Sequence, residues 1–172
     1  MPKALWDVRE KAAFINLAKA KADLTRDPPF YSLSMTNLFG LIPDPSRRVY
    51  HGADYVSGLP RSIADACALY HALFPVVSVC EIIHNSLVLT RPGEMSRSDG
   101  LVENLGLAAA SASPVELDAF LVALLGGEPS SRHFLRVGAE VFGGWDSSTF
   151  PALPEEVAAR LHAHLDTEGE GT

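Results

Sequence analysis

Residues 76–90 read VVSVCEIIHNSLVLT, and the fold of the whole chain depends on how this stretch is interpreted. Its β-branched residues favour a strand. Its length and the three- and four-residue spacing of its apolar positions favour a buried helix. We predict a helix here, with a strand over Val76–Thr90 as the alternative. The apolar positions that define the helical spacing are Val76, Val79, Cys80, Ile83 and Leu87.

A further helix is predicted immediately before this stretch. It begins at Leu59-Pro60, because proline is favoured at the first position of a helix. Pro75 then kinks this helix or separates it from the next one. Its apolar positions share one face and are Ile63, Ala66, Cys67, Tyr70 and Phe74.

The N-terminal residues predict a first helix from about Ala4 to Leu24, since apolar side chains recur there at three- to four-residue spacing. Two prolines in Asp27-Pro28-Pro29 end it. Residues 27–58 show no clear periodicity, so we expect an irregular segment with a short helical turn within Met35–Ile42.

The strongest local signal follows at Ser113-Pro114-Val115-Glu116. Ser113 is placed to cap a helix, Pro114 takes the first helical position, and Glu116 completes a capping box. This pattern predicts a helix over 114–125, which Gly126-Gly127 ends. We also predict a shorter helix over Leu101–Ala110, weakened by Gly106.

Two more helices complete the prediction, one over Ser131–Phe142 and one from Pro154-Glu155-Glu156 to Leu165. The predicted fold class is all-α, a compact bundle of about five to seven helices with an irregular segment after the first. Residues 1–166 form one domain, and the acidic tail 167–172 is disordered. The alternative is an α+β fold with a small sheet, built from strands at Arg48–Val56 and Val76–Thr90.

Composition narrows the classes of function. The 172 residues are 47% hydrophobic, which is enough for one core and leaves room for an apolar surface shared with another chain. A formal net charge of −7 argues against a nucleic-acid-binding protein. All lysines lie in the first 21 residues, whereas the C-terminal segment is acidic. We interpret the two segments as solvated helix faces, and the alternative is that copies of the chain attract one another head to tail.

The cysteines and the N-terminus predict a cytoplasmic protein. Cys67 and Cys80 form no Cys-x-x-Cys motif, and the N-terminus carries charges where a secretory signal needs an apolar core. The longest apolar run, Pro75–Leu89, is interrupted by Glu81 and His84 and is shorter than the ~20 residues of a membrane-spanning helix. No membrane segment is predicted.

Glu81 and His84 are the most specific candidates for catalysis. Residues three apart on a helix share a face, so Glu81 could orient His84 as a general base. The competing interpretation is a core histidine satisfied by a neighbouring acid. A metal needs more ligands than this single Glu-x-x-His provides, so no metal site is predicted, and no motif indicates a cofactor. Asn85 could join the pair, and the nearby candidate nucleophiles are Ser78, Cys80 and Ser86.

Two basic segments are candidates for ligand binding. Arg91, Arg97 and Ser98 precede a predicted helix, where guanidinium groups and free N–H groups can hold a phosphate or a carboxylate. Arg47 and His51 belong to a short run of basic and aromatic residues of similar character. The alternative for both is a solvated loop.

By elimination of catalytic motifs, the sequence favours a binding or assembly protein that acts as an oligomer or as an accessory subunit. Its expected partner is a protein or a second copy of the chain. The alternative is a small helical enzyme or a ligand carrier with a pocket around Glu81 and His84.

Overall fold

A mixed sheet forms the centre of the molecule. In the computed structural model, which describes residues 1–23, 30–43, 46–50, 58–87 and 106–166, the sheet has four strands. They are β1 (Phe14–Asp23), β2 (Phe30–Ser32), β3 (Val76–Leu87) and β4 (Ala108–Ser111), in the spatial order β2-β1-β3-β4. The central strands β1 and β3 are parallel, and each edge strand is antiparallel to its neighbour.

Helices precede, connect and follow these strands. They are α1 (Lys3–Val8), α2 (Ser34–Phe39), α3 (Ser46–Tyr50), α4 (Gly58–Leu73), α5 (Pro114–Leu124), α6 (His133–Phe142) and α7 (Glu155–Asp166), with 3₁₀ turns at Pro129–Ser131 and Ser147–Thr149. In the described part of the chain, no helix is long and apolar enough to cross a membrane.

The predicted all-α bundle is wrong, and the α+β alternative fits. Val76, Ser78, Cys80 and Ile82 are buried, and the residues between them are more exposed, which is the two-residue period of a strand. The helical spacing of apolar residues in this stretch was a coincidence of a β-branched sequence. The strand that this alternative placed at Arg48–Val56 is wrong at its start, because residues 46–50 are helical. Residues 51–57 lie outside the described part.

The long first helix is also wrong. Helix α1 ends at Val8, and Phe14–Asp23 is strand β1, in which Asn16, Ala18, Ala20 and Ala22 are buried in alternation. Alanine and lysine are good helix formers, but pairing between β1 and β3 overrides that preference. The helix predicted over Leu101–Ala110 fails for the same reason at Ala108–Ala110, which belong to β4, and residues 101–105 lie outside the described part.

Predictions based on helix caps and stops are confirmed. Helices α4, α5, α6 and α7 lie where caps, prolines and glycines indicated, and α2 overlaps the expected turn at Met35–Ile42 but begins one residue before it, at Ser34. The remainder of 27–58 is more regular than expected, since it also contains β2 and α3. The tail 167–172 lies outside the described residues.

The cap of α5 differs in detail from a capping box. The N–H of Glu116 donates to Ser113 Oγ at 3.3 Å, as predicted. The Glu116 carboxylate, however, accepts a hydrogen bond from Ser111 Oγ at 3.1 Å, and Ser111 Oγ in turn accepts one from the N–H of Ser113 at 3.0 Å. Ser111 therefore ties the end of β4 to the start of α5.

The hydrophobic core lies on one face of the sheet. Helix α2 packs there against the small buried side chains of β1 and against α4 and α5, and α6 packs against α4 and α5. Gly138 on α6 permits a close approach, because a Cβ at this position would lie 2.9 Å from Met35 Cε and 3.0 Å from Val115 Cγ2. These contacts fix which face of the sheet is covered.

Candidate functional site

The face of the sheet opposite the core carries exposed apolar side chains. Ile15 and Leu17 on β1 are 65% and 70% exposed, and Val77 on β3 is 45% exposed. In the register of the two strands, Ile15 is paired with Val77 and Leu17 with Val79. The apolar side chains are therefore adjacent and form one continuous surface.

This surface, which we call the open face, is unusual for parallel strands. Parallel strand pairs in folded domains are normally covered on both faces. The buried residues of the two strands are Asn16, Ala18, Ala20 and Ala22 of β1 and Val76, Ser78, Cys80 and Ile82 of β3. The odd-numbered residues of 15–19 and of 77–81 lie between them on the opposite face and are exposed or half-exposed in the described part of the chain. The open face consists of Ile15, Leu17 and Lys19 of β1 and Val77, Val79 and Glu81 of β3.

One ion pair borders the apolar part of the open face. Lys19 and Glu81 are register partners, and Lys19 Nζ lies 3.5 Å from Glu81 Oε1. Both side chains are partly exposed, so the pair contributes little to stability by itself. The pair places one positive and one negative charge side by side at the edge of an apolar surface.

The structure changes the basis of the predicted Glu81–His84 pair. The two residues lie on a strand, and a strand does not place residues three apart on one face as a helix does. Glu81 instead pairs with Lys19, and the side chain of His84 lies outside the described part. A catalytic role for the pair stays a prediction, but the shared helix face on which it was based does not exist.

The predicted anion-binding residues are mostly outside the described residues; this holds for His51, Arg91, Arg97 and Ser98. Arg47 is described, and its Nη1 donates to the carbonyl oxygen of Gly40 at 3.2 Å. Within the described ranges, no three His, Cys, Asp or Glu side chains lie close enough together to hold a metal ion.

A polar cluster that sequence reasoning missed lies on the covered side of the sheet, and its members Asn16, Ser34 and Ser78 are buried. The side-chain amide of Asn16 on β1 donates to the carbonyl of Ser34 at 2.9 Å and to Ser78 Oγ on β3 at 3.0 Å. The Asn37 amide on α2 donates to Asn16 Oδ1 at 2.7 Å and to the carbonyl of Leu17 at 3.0 Å. Asn16 thus joins the two central strands to the start of α2 and fixes the backbone under the open face.

Asp118 on α5 is the charged member of this buried region. Its carboxylate accepts hydrogen bonds from the N–H of Ser34 at 2.9 Å and of Met35 at 3.1 Å, which are free donors at the start of α2. Burial raises the pKa of Asp118 from 3.8 to about 6, and its hydrogen bonds with Ser34 and Met35 limit the rise. Desolvation of the charge outweighs the bonds that favour it.

This raised pKa predicts a dependence of stability on pH. The folded state holds the Asp118 proton more tightly than the unfolded state, so the contribution of Asp118 is present in full at low pH and is lost as pH rises through about 6. We expect the free energy of unfolding of the wild type, relative to Asp118→Asn, to fall by about 2 kcal/mol from about pH 4.5 to about pH 7. Urea unfolding of both proteins at the two pH values measures this difference. A difference that stays constant would contradict the prediction.

A signal for Asp118 was present in the sequence. Residues 114–125 are almost entirely apolar apart from Glu116 and Asp118, and Asp118 lies four residues after Pro114 and three before Leu121, both buried positions of the same helix. An acid on the buried stripe of a helix indicates a tertiary hydrogen bond. The exposed Ile15 and Leu17 left no such signal, because their exposure depends on which elements cover the sheet.

The two cysteines belong to the core and not to a reactive site. Cys67 on α4 and Cys80 on β3 are free and buried. Burial, together with the nearby charge of Asp118, raises the pKa of each thiol to about 12. Neither forms the thiolate that a nucleophile requires at neutral pH.

These features define the chain as an α+β domain in which a mixed, centrally parallel sheet carries helices on one face and an apolar open face on the other. The chain belongs to the DUF362 family, a domain of unknown function, whose model matches residues 3–123, well over half of its length. The matched residues run from α1 almost to the end of α5 and include the whole sheet and the open face. No curated protein and no solved structure matches the chain.

Proposed function

We propose that this chain is an assembly protein that acts as a homodimer, with the open face as the interface between two copies. The observation that carries the proposal is the continuous apolar surface of Ile15, Leu17 and Val77 on a parallel strand pair. Exposed apolar surface of this kind marks sites of protein association.

The arrangement of charges favours a second copy as the occupant. Consider a two-fold axis that runs parallel to the strands between two stacked open faces. Rotation about this axis places β1 of each copy over β3 of the other. The strands of the two copies then run in the same direction, as in aligned sheet packing, where strand directions differ by about 30° or less. Leu17 then lies opposite Val79 of the other copy and Lys19 opposite its Glu81, so apolar residues meet apolar ones and each charge meets its opposite.

Leu17→Lys tests the interface directly. We expect the wild type to sediment as a dimer at micromolar concentrations and Leu17→Lys to sediment as a monomer, because the substitution places two uncompensated charges in an apolar contact. Leu17 is 70% exposed within one chain, so its replacement should leave the fold intact. Analytical ultracentrifugation with circular dichroism measures both properties.

The matched control is Val49→Lys on α3. Val49 is 77% exposed but lies away from the open face, so this variant should remain a dimer. A wild type that is monomeric at about 1 mM, or a dimer that Leu17→Lys leaves intact, would contradict the proposal.

A charge reversal tests the orientation of the two copies. Lys19→Glu should weaken dimerisation about tenfold, because it faces two copies of Glu81 with like charge. The double variant Lys19→Glu with Glu81→Lys should restore dimerisation. Equal weakening in the single and double variants would reject the two-fold arrangement.

A further inference from the structure

The outer edge of strand β4 is open in the described part of the chain. β4 lies at the end of the sheet, and β3 is its strand partner. The N–H of Ile82 donates to the carbonyl of Leu107, which makes these two residues a hydrogen-bonded pair in the antiparallel ladder. Because such pairs alternate with outward-facing residues, the N–H and C=O groups of Ala108 and Ala110 point away from β3.

A cavity of about 400 Å³ runs along this edge. It touches every residue from Leu107 to Ser111, whose side chains alternate between the two faces of the sheet, so it follows the backbone of the strand. Its other wall comes from α5 and from the segment around the second 3₁₀ turn, and includes Leu117, Phe120, Leu124 and Phe150. We call this cavity the edge groove.

The chemistry of the edge groove selects an extended peptide. The outward N–H and C=O groups of two alternate residues can be satisfied together by the backbone of an added strand. The wall of Phe120 and Phe150, whose rings contact edge to face at 5.6 Å between centroids, suits a large apolar side chain. Ligand pockets commonly have volumes of about 300–1,000 Å³, and the groove falls in this range.

A single charge refines this selection. Among the described residues that line the groove, Glu116 is the only charged one, and it is held in place by Ser111. A carboxylate at the end of an apolar groove favours a lysine or an arginine in the bound segment.

We propose that the edge groove binds an extended segment of a partner protein by strand addition to β4, with an apolar side chain against Phe120 and Phe150 and a basic residue near Glu116. This site is separate from the open face, since it lies at the edge of β4 and on the helical side of the sheet. Neither Ile15 nor Leu17 belongs to it.

Fluorescence anisotropy of the full chain with a labelled peptide tests the proposal. The probe is a nonapeptide of alternating leucine and threonine with a lysine at each end. Two matched peptides carry N-methyl groups either on the leucine amides or on the threonine amides. Only alternate amides of the bound peptide face β4. One methylated peptide should therefore have a Kd about tenfold higher than that of the probe, and the Kd of the other should lie within about twofold of the probe's.

Variants of the chain test the same contact from the other side. Ala110→Pro removes an outward N–H without breaking a hydrogen bond between β3 and β4. This variant should bind the probe about tenfold more weakly than the wild type does. Glu116→Gln keeps an acceptor for the Ser111 hydroxyl but removes the negative charge. This variant should bind the lysine-bearing probe about threefold more weakly than the wild type does. Leu17→Lys, the matched control, should leave peptide binding unchanged, so that failure of this proposal and failure of the dimer proposal are distinguishable.

A measurement on the wild type keeps the proposal testable if Ala110→Pro does not fold. Hydrogen exchange of the Ala108 and Ala110 amides should slow when the probe is added. No binding at about 1 mM, equal loss for both methylated peptides, or unchanged exchange at both alanines would overturn the proposal. Peptide binding that is insensitive to methylation would overturn strand addition, because the backbone amides of the bound peptide would then make no contact with β4. A dimer that Ala110→Pro dissociates would show that a second copy occupies the edge.

Discussion

Replacing Asp118 by alanine is expected to lower the free energy of unfolding by about 4 kcal/mol. The carboxylate accepts the N–H groups of Ser34 and Met35, and its removal leaves both donors buried with no partner from α5. Each unsatisfied buried donor costs about 1–3 kcal/mol. Urea unfolding near pH 7 measures the loss.

Asp118→Asn separates the hydrogen bonds from the charge. Asparagine keeps one acceptor oxygen, so one of the two N–H groups remains satisfied, and we expect a loss of about 2 kcal/mol. Equal losses for alanine and asparagine would show that the carboxylate acts through its charge. A loss below about 1 kcal/mol for alanine would mean that the start of α2 is solvated.

Replacing Gly138 by valine is expected to lower the free energy of unfolding by about 3 kcal/mol. The new Cβ would lie 2.9 Å from Met35 Cε and 3.0 Å from Val115 Cγ2, and the two valine methyl groups would need further space between α6 and its neighbours. The better helix propensity of valine, a few tenths of a kcal/mol over glycine, offsets only a small part of this cost. Thermal or urea unfolding measures the difference.

Gly144→Val is the matched control, because nothing lies within 4 Å of a Cβ at this position. We expect it to change the free energy of unfolding by less than about 0.5 kcal/mol. Shortening Met35 to alanine in the Gly138→Val background should recover part of the loss, since the methionine side chain is the nearest obstacle. A Gly138→Val variant as stable as the wild type would contradict the close packing of α6 against Met35 of α2.

Local signals in the sequence predicted the helices that begin with caps and end with glycine or proline. Ser113 and Pro114 act within one turn of the chain, so no knowledge of the rest of the molecule is needed to interpret them. The apolar periodicity of 114–125 also predicts a buried stripe of Leu117, Phe120, Leu121, Leu124 and Leu125, of which Leu117, Leu121 and Leu125 are buried.

The sheet could not be predicted in the same way, because its evidence is distributed over distant residues. Strand β1 reads as a helix on its own, since alanine and lysine favour helices and Leu17 falls on the predicted apolar stripe. Pairing with β3, and with β2 at its C-terminal end, makes it a strand, and this arrangement leaves Leu17 exposed on the open face. The alternating burial of Asn16, Ala18 and Ala20 is visible once the partner strand is known, and the exposure of the open face depends on it.

The parallel pairing of β1 and β3 also has a consequence for how the chain folds during synthesis. Asn16 and Ser78, which bond across the two strands, are 62 residues apart, and Ser34 and Asp118 are 84 residues apart. Contacts of such separation cannot form until the later residue has left the ribosome, and non-local pairing of this kind is slow. The N-terminal strand β1 therefore cannot complete its pairing until β3 has been synthesised, and until then the segment is too short to form a stable helix on its own.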